Sequence, residues 1–231
     1  MKWLYENYSL ILRDFKLCLS LIILSIVLFS AWAFLDVQGV LRPFDVAVLT
    51  AFADGRSEEV QIAKYSEIMR DITSVGGTAL IMLVTTSAVL GLWLLGQKGK
   101  AAFVALTVVA SSILNNTLKA LFDLPRPDIF PHGTVVHSMA FPSGHTFTAT
   151  VTYLTLAFLV YQLPIKPQLK IFAFGLAIFI SFLVGISRLY LGVHWPSDVI
   201  GSWVLAVGWC SFCWMIWLVS CRMERELKEA L

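Results

Sequence analysis

Two residues four positions apart, His194 and Asp198, have the types and the spacing needed for nucleophilic catalysis. Pro196 lies between them. Because proline is tolerated in the first turn of a helix, the pattern predicts that a helix begins here with both side chains on one face. A carboxylate one turn from an imidazole can hold one ring nitrogen protonated and aim the other at an electrophile. His194 is therefore a candidate nucleophile, and Asp198 is the residue that would orient it.

A second histidine follows a tight turn in the sequence Phe141-Pro142-Ser143-Gly144-His145. Proline and glycine bracket this turn, which leads into a predicted helix. The backbone N–H groups of the turn and of the helix N-terminus form a natural cradle for an oxyanion. His145 is a candidate general acid for a leaving oxygen, because the unperturbed pKa of histidine lies near neutral pH.

Three fixed cations, Lys119, Arg126 and Arg188, accompany the two histidines. Arginine presents a planar fork that suits phosphate oxygens, whereas lysine acts as a point charge. Three cations brought to one site would repel each other unless an anion bound there. The expected ligand is therefore strongly anionic.

The elements that must position these residues are membrane-spanning helices. The chain has 231 residues, of which 58% are hydrophobic and 14% charged, whereas a water-soluble domain carries roughly a quarter charged residues. The apolar residues form runs of about 17 to 25 residues, the length that crosses a bilayer. We expect the first run to be retained, because it is too long for a cleaved signal. Six spans are predicted, at about 17–35, 78–96, 101–122, 146–163, 170–187 and 199–220.

The sequence therefore predicts an all-α polytopic membrane protein, with six transmembrane helices in one bundle and a single domain over residues 1–231. Lysine and arginine are enriched on the cytoplasmic side of membrane proteins. With both termini inside, ten of the seventeen basic residues lie in the inner segments, although these segments are shorter than the outer ones. We therefore place both termini in the cytoplasm.

The outer segment 36–77 contains a further predicted helix between spans 1 and 2. Ser57-Glu58-Glu59 has the pattern of a helix start, with a capping hydroxyl and acidic residues at the positive end of the dipole. An apolar stripe at helical spacing follows, formed by Tyr65, Ile68, Met69 and Ile72. This pattern predicts an amphipathic helix that lies on the membrane surface and packs on the bundle.

Polar residues at helical spacing mark one face of each of the last four spans. Ionisable groups within a span are costly and usually face a cavity or a partner. Since the four stripes meet at the outer surface, they predict a polar cavity among spans 3 to 6 that is open to the outside. The stripes are Ser112, Asn115, Asn116 and Lys119; His145, Thr148, Thr152 and Thr155; Ser181, Gly185 and Arg188; and His194, Asp198 and Gly201 or Ser202.

Together these residues form three motifs in order: Lys119-x6-Arg126-Pro127, Pro142-Ser143-Gly144-His145, and Ser187-Arg188-x5-His194-x3-Asp198. The motifs resemble, in order and spacing, the signature of the type-2 phosphatidate phosphatase superfamily. They occupy residues 119–198, and the six spans fit the membrane-bound branch of that family. The soluble haloperoxidases of the same superfamily would not carry six spans, so they are set aside.

The resemblance implies a role for each signature residue. His194 would attack phosphorus to form a phosphohistidine, with Asp198 orienting it, and His145 would protonate the departing oxygen. The phosphoryl oxygens would be bound by Lys119, Arg126, Ser143, Gly144 and Arg188. No metal or other cofactor is implied. Fixed cations would offset the charge that spreads over the phosphoryl oxygens, as Mg²⁺ does in other enzymes.

Three alternatives remain open at this point. A phosphohistidine can pass its phosphoryl group to an acceptor lipid instead of water, which would make the protein a phosphotransferase. His132, His137 and His145 lie in one outer loop and could hold a metal, although nearby cations would oppose it and the carboxylates that a hard metal prefers are scarce. A transporter would use the polar cavity as a pathway, but the inner halves of spans 3 to 6 carry no charges to continue one.

The substrate is expected to be amphipathic, because the cavity opens at the level of the lipid headgroups. The basic inner loops favour a bacterial cytoplasmic membrane enzyme with its site facing outward. Candidate substrates are undecaprenyl pyrophosphate, phosphatidylglycerol phosphate, phosphatidate and lipid A phosphates. We expect the bilayer and a lipid phosphate to be the partners, with no nucleic acid. Headgroup choice should depend on residues 36–77 and 128–141.

Overall fold

The structure, a computed structural model, describes residues 2–54, 59–135 and 138–230, and side chains within 14–53, 65–135 and 138–221. The described residues form helices joined by short segments, with no strand among them. The helices are α1 Lys2–Val37, α2 Arg42–Asp54, α3 Glu59–Ser74, α4 Thr78–Leu94, α5 Lys98–Phe122, α6 Gly144–Tyr161, α7 Pro167–Tyr190 and α8 Pro196–Ala230. Each of the six predicted spans overlaps one helix, and the all-α prediction holds for the described residues.

Five stretches of the described chain are long and apolar enough to cross a membrane. They are Asp14–Val37, Tyr65–Leu94, Lys98–Phe122, Pro167–Tyr190 and Pro196–Cys221. The second stretch combines the end of α3, the turn at 75–77 and α4. Helix α6, which coincides with the predicted fourth span, is not among the five. The predicted fourth span therefore stays a prediction.

The reason lies in the surroundings of α6. This helix packs against α5, α7 and α8 and also contacts α4, so much of its surface faces protein rather than lipid. Thr146, Thr150, Thr152 and Thr155 are buried within it. Inside a bundle such hydroxyls can bond across helices or to their own backbone. Thr155, for example, donates to the carbonyl of Val151 at 2.7 Å. Central packing thus permits a more polar helix.

Helix ends follow local backbone chemistry. Helix α4 ends at Leu94, and Gly96 has φ +75, a left-handed conformation that glycine adopts without a Cβ penalty. Helix α7 begins at Pro167, where the missing proline N–H costs no helical bond. Gly96 and Pro167 therefore mark where the chain turns from α4 to α5 and from α6 to α7.

The segment between the first two spans differs from the prediction in its number of helices. It contains two helices, α2 and α3, and the predicted start at Ser57-Glu58 lies outside the described residues. Within the apolar stripe, Tyr65 and Ile68 are exposed and Met69 and Ile72 are half-buried. The fully buried side of the helix carries Ser66 and Thr73. Helix α3 packs against α7 through this small, polar face, because small side chains allow close approach.

Candidate active site

The N-terminus of α8 holds the predicted nucleophile and its carboxylate together. Pro196 begins the helix, so His194 and Asp198 lie one turn apart, and both are fully buried. His194 Nδ1 and Asp198 Oδ2 are 3.0 Å apart. The same carboxylate oxygen accepts the N–H of Trp195 at 2.8 Å, which fixes its position. The predicted contact between imidazole and carboxylate is therefore present.

The other ring nitrogen of His194 faces a cation. Nη1 of Arg126 lies 3.2 Å from His194 Nε2 and can only donate to it, so Nε2 carries a lone pair and Nδ1 carries the proton that Asp198 accepts. Burial, followed by the positive charges of Arg188 and Arg126, lowers the pKa of His194 well below its ordinary value. The imidazole is thus neutral at neutral pH, the state in which Nε2 can attack.

Backbone carbonyls hold two of the three predicted cations in place. Lys119, one turn from the end of α5, donates to the carbonyls of Met139 and Ala140, the latter at 3.2 Å. Arg126 donates from Nε to the carbonyl of Ser138 at 2.7 Å and also to the carbonyl of Val193. The residues before α6 therefore anchor both side chains beside His194.

The third cation is held by a different helix. Arg188, in the last turn of α7, donates from Nη1 to Thr73 Oγ1 at 3.0 Å. Its Nε is buried and has no hydrogen-bond partner in the structure. A buried guanidinium with an unused donor is costly, so an anionic acceptor at this point would stabilise it. We call Lys119, Arg126 and Arg188 the cation cluster.

The N-terminus of α6 completes the site. Ser143 is the N-cap, and Gly144 begins the helix, so the first free N–H groups lie at this point. A Cβ on Gly144 would lie 3.1 Å from Asn115 Nδ2, so glycine here lets the start of α6 lie close against Asn115 of α5. The Ser143 hydroxyl is fully buried and pairs with Thr146 Oγ1 at 3.0 Å.

These elements enclose one polar cavity of about 250 Å³. It is lined by Thr73, Lys119, Arg126, Thr134, Val135, Ser138, Gly144, His145, Arg188 and His194. The two histidines and the cation cluster therefore share a single space, in which an anionic group would meet a neutral imidazole, fixed cations and a helix N-terminus at once.

Two predicted residues lie outside this lining. Asp198 lies behind His194, as its predicted role as orienter requires. Ser143 directs its hydroxyl at Thr146 instead of the cavity, so its role as a phosphate ligand stays a prediction. Asn116 of the predicted α5 stripe is exposed and faces away from the cavity.

Four lining residues were missed by sequence reasoning: Thr73, Thr134, Val135 and Ser138. They carry no chemical pattern of their own, although all fall within the two segments predicted to govern headgroup choice. His132 binds the carbonyl of Pro127 through Nε2 at 2.7 Å, a structural contact within its loop. His137 lies outside the described residues.

Comparisons with known proteins agree with this geometry. The sequence pattern described as the PAP2 superfamily matches residues 100–222. Phosphatidylglycerophosphatase B of Bacillus subtilis is 34% identical over 145 residues, covering 62% of this chain and 70% of that protein. Undecaprenyl-diphosphatase BcrC of the same organism is 30% identical over 125 residues, covering 51% of this chain and 60% of BcrC.

A solved structure matches the fold as well. The crystal structure of a transmembrane PAP2 type phosphatidylglycerolphosphate phosphatase from Bacillus subtilis superposes with a TM-score of 0.75 and 27% sequence identity. The match covers 83% of this chain and 93% of that one. It thus reaches well beyond residues 100–222, into the N-terminal helices.

Proposed function

The chain belongs to the PAP2 superfamily, and from this membership and the geometry of the site we propose that it is a membrane enzyme that hydrolyses a lipid phosphate or pyrophosphate. One observation carries the proposal: Nε2 of His194 faces a cavity bounded by three cations, while Nδ1 is held by Asp198. Relatives named as phosphatidylglycerophosphatase and undecaprenyl-diphosphatase support the same reaction class.

The first chemical step is attack of His194 Nε2 on phosphorus. A P–N bond forms as the bond from phosphorus to the leaving oxygen breaks, and His145 gives that oxygen a proton. Burial and the cation cluster lower the pKa of His145 to about 3; the anionic phosphate offsets those cations, so His145 takes up this proton as the phosphate binds. The Asp198 carboxylate accepts the hydrogen bond from the Nδ1–H group throughout and stabilises the positive charge that develops on the ring. Arg126, which lies 3.2 Å from Nε2 and donates to it, donates to a phosphoryl oxygen once Nε2 is bonded to phosphorus.

The second step returns the enzyme to its starting state. Water attacks the phosphohistidine from the side that the leaving group vacated, and His145, now neutral, takes a proton from it. The P–N bond breaks, its electron pair returns to Nε2, and phosphate leaves. In both steps the cation cluster offsets negative charge on the phosphoryl oxygens, an effect that is strongest where bulk water is excluded.

The arrangement in the membrane follows the sequence. We place all six predicted spans, including α6, across a bacterial cytoplasmic membrane with both termini inside. The site then lies at the outer surface, where the ends of α5 and α7 meet the starts of α6 and α8. The exposed apolar face of α3, formed in part by Tyr65 and Ile68, would contact lipid at this level.

The substrate candidates are phosphatidylglycerol phosphate and undecaprenyl pyrophosphate, followed by phosphatidate. The first two correspond to the names of the relatives above. The cavity of about 250 Å³ suits a headgroup with one or two phosphates, and the lipid tail would remain in the bilayer. Thr134 and Ser138 at the rim are positioned to contact whatever follows the reacting phosphate.

A panel of lipid phosphates tests the proposal. The purified full-length protein, reconstituted in vesicles, is assayed for phosphate release from each candidate, beside His194→Ala and the control His132→Ala. We expect release from at least one lipid phosphate by the wild type and the control, and none by His194→Ala. Release by His194→Ala at the wild-type rate would overturn the mechanism, and transfer of phosphate to a lipid without release would replace hydrolysis by phosphotransfer.

A further inference from the structure

A second charged cluster, with two buried carboxylates and a half-buried arginine, lies against the α8 N-terminus, and none of its residues lines the cavity. It consists of Asp36 at the end of α1 together with Arg42 and Asp45 in the first turn of α2, and we call it the acid cluster. Asp36 and Asp45 are 2% and 0% exposed. Arg42 lies 3.9 Å from Asp36 and 3.7 Å from Asp45. All three residues precede the segment 100–222 that the family pattern matches.

Asp45 supplies a helix cap from another part of the chain. Helix α8 begins at Pro196, so Trp195 is its N-cap, and tryptophan has no acceptor to offer the free N–H groups of the first turn. Asp45 Oδ1 accepts the N–H of Ser197 at 2.9 Å. In return, Asp198 accepts the N–H of Trp195 at 2.8 Å. At an ordinary capped helix start, the side chains that accept these N–H groups belong to the helix itself. Here one acceptor, Asp198, belongs to α8 and the other, Asp45, belongs to α2.

The hydroxyl of Ser197 ties the acid cluster more firmly to α8. Its Oγ lies 2.8 Å from Asp45 Oδ2 and 3.2 Å from Asp36 Oδ1. Burial raises the pKa of Asp45, and the hydrogen bonds from Ser197 and the charge of Arg42 oppose that rise. Every strong contact of these two carboxyl groups therefore points either to Arg42 or to the residue next to Asp198.

Two tryptophans form further contacts between the N-terminal helices and the residues around His194. Trp32 of α1 donates from Nε1 to the carbonyl of Ser197 at 3.0 Å. The guanidinium of Arg42 lies over the Trp195 ring, 4.1 Å from its centroid. Trp195 in turn donates from Nε1 to the carbonyl of Pro125 at 3.0 Å, immediately before the cation-cluster residue Arg126. Helices α1 and α2 thus contact the residue next to Asp198 directly and, through Trp195, the residue next to Arg126.

We propose that Asp45 is a positioning residue for the reaction: by capping α8 from α2 it holds the first turn, and with it the His194–Asp198 pair, in the geometry that attack requires. The inference rests on the proposed function. A reacting group displaced by about 1 Å can lose on the order of 10²-fold in rate. Without the cap, the first turn that carries Asp198 loses its outside acceptor and shifts.

The test compares Asp45→Ala with Asp45→Asn, which keeps an oxygen acceptor for the Ser197 N–H. Since a hydrogen bond to a charged group is worth more than a neutral one, we expect kcat of the Ala variant to fall by about 30-fold and that of the Asn variant by less than about 5-fold. Neither KM nor inhibition by inorganic phosphate should change by more than about 2-fold, because the cation cluster is untouched.

A matched control separates positioning from general weakening of the α1–α8 interface. Ser25 is also buried on α1, packed against Gly208 of α8 far from the site, and Ser25→Ala should keep wild-type kcat even if its Tm falls. If Asp45→Ala does not fold, Trp32→Phe removes only the indole donor to Ser197. Loss of one neutral hydrogen bond is expected to lower its kcat by about 5-fold without changing KM.

A spectroscopic measurement tests positioning even if the lipid-phosphate assay fails. In protein labelled at histidine, the Nδ1 proton that His194 shares with Asp198 should give a downfield NMR signal that is absent in His194→Ala. We expect Asp45→Ala to lose or broaden this signal, and Asp45→Asn and Ser25→Ala to keep it. An unchanged signal and kcat in Asp45→Ala would overturn the proposal. So would equal losses in the Ala and Asn variants, or a parallel loss of phosphate inhibition.

Discussion

The cation cluster and the acid cluster lie beside the same helix start, and they are satisfied in opposite ways. The acid cluster contains its own counter-charge, since Arg42 lies within 4 Å of both carboxylates. Three of the four carboxylate oxygens also contact Ser197, and Asp36 Oδ2 has no hydrogen-bond partner in the structure. In the part of the chain that the structure describes, no carboxylate forms an ion pair with Lys119, Arg126 or Arg188. Backbone carbonyls, the hydroxyls of Thr73 and Ser138 and the Nε2 of His194 accept from these cations, and all three border a cavity.

The difference indicates what each cluster does. Buried charges that satisfy each other fix the position of a chain segment, whereas buried charges of one sign beside an open space lower the energy of a ligand of the other sign. His194 lies between the two clusters. The acid cluster contacts the start of α8 next to His194, and the cation cluster borders the cavity that His194 also lines. The predictions below change one side at a time.

The largest effect is expected from His145→Ala, a change within the cavity. Loss of a general acid typically costs about 10² to 10⁴ in rate, so kcat on the best lipid phosphate should fall by about 10³-fold. The loss should be much smaller on 4-nitrophenyl phosphate, whose leaving group needs no proton. The two substrates are compared by steady-state kinetics. Equal losses on both would mean that His145 positions the substrate and does not donate a proton.

The next largest effect compares the same substitution in the two clusters. Arg188→Gln removes a cation that faces the phosphoryl group, and loss of one preorganised donor costs about 10²-fold in kcat; inorganic phosphate should also inhibit more weakly. Arg42→Gln removes a cation that faces only the acid cluster and Trp195. Its kcat should fall by less than about 10-fold with unchanged phosphate inhibition, since it acts through position alone. If the two variants behaved alike, the distinction between the clusters would be wrong.

The contrast between the clusters also separates what the sequence could predict from what it could not. The cation cluster and both histidines could be predicted because each residue stands at a helix end within a local motif. Helical spacing places neighbouring members on one face. The contacts of Asp45 and Asp36 with Ser197 join positions 152 and 161 residues apart. They depend on how α1 and α2 dock on α8, and no local pattern encodes that docking.

Helix α3 illustrates a second limit. The sequence predicts an amphipathic helix that packs on the bundle, but it does not say which face of the helix does so. In a bilayer the lipid is as apolar as a core, so small and polar residues mediate helix contacts while large apolar ones face outward. Ser66 and Thr73 accordingly pack inward. Thr73 is a site residue because α3 packs against α7 and brings its hydroxyl to Arg188. The sequence alone does not indicate this contact.

A smaller effect is expected in the pH dependence of the wild type. Attack requires neutral His194, and its pKa is lowered first by burial and then by Arg188 and Arg126. The neutral form therefore persists below the usual titration range of histidine. Protonation of His194 should lower kcat/KM only at distinctly acidic pH. Arg188→Gln removes one cause of the lowering, so its acid limb should move to higher pH. Comparing the two profiles on one substrate cancels the ionisation of the substrate itself.

The smallest expected effect is that of metal removal, where we predict no change in kcat. Divalent metals assist phosphoryl transfer by neutralising charge on the phosphoryl oxygens, and here the cation cluster lies in that position. The same cations would repel a metal ion beside them. Activity is measured after dialysis against a chelator, with Mg²⁺ or Zn²⁺ then added back to the wild type and to Arg188→Gln. If chelation lowered kcat and added metal restored it, the cation cluster alone would not be sufficient for catalysis. If added metal rescued only Arg188→Gln, the result would identify neutralisation of the phosphoryl charge as the function of Arg188. It would thereby support the contrast between the cation cluster and the acid cluster.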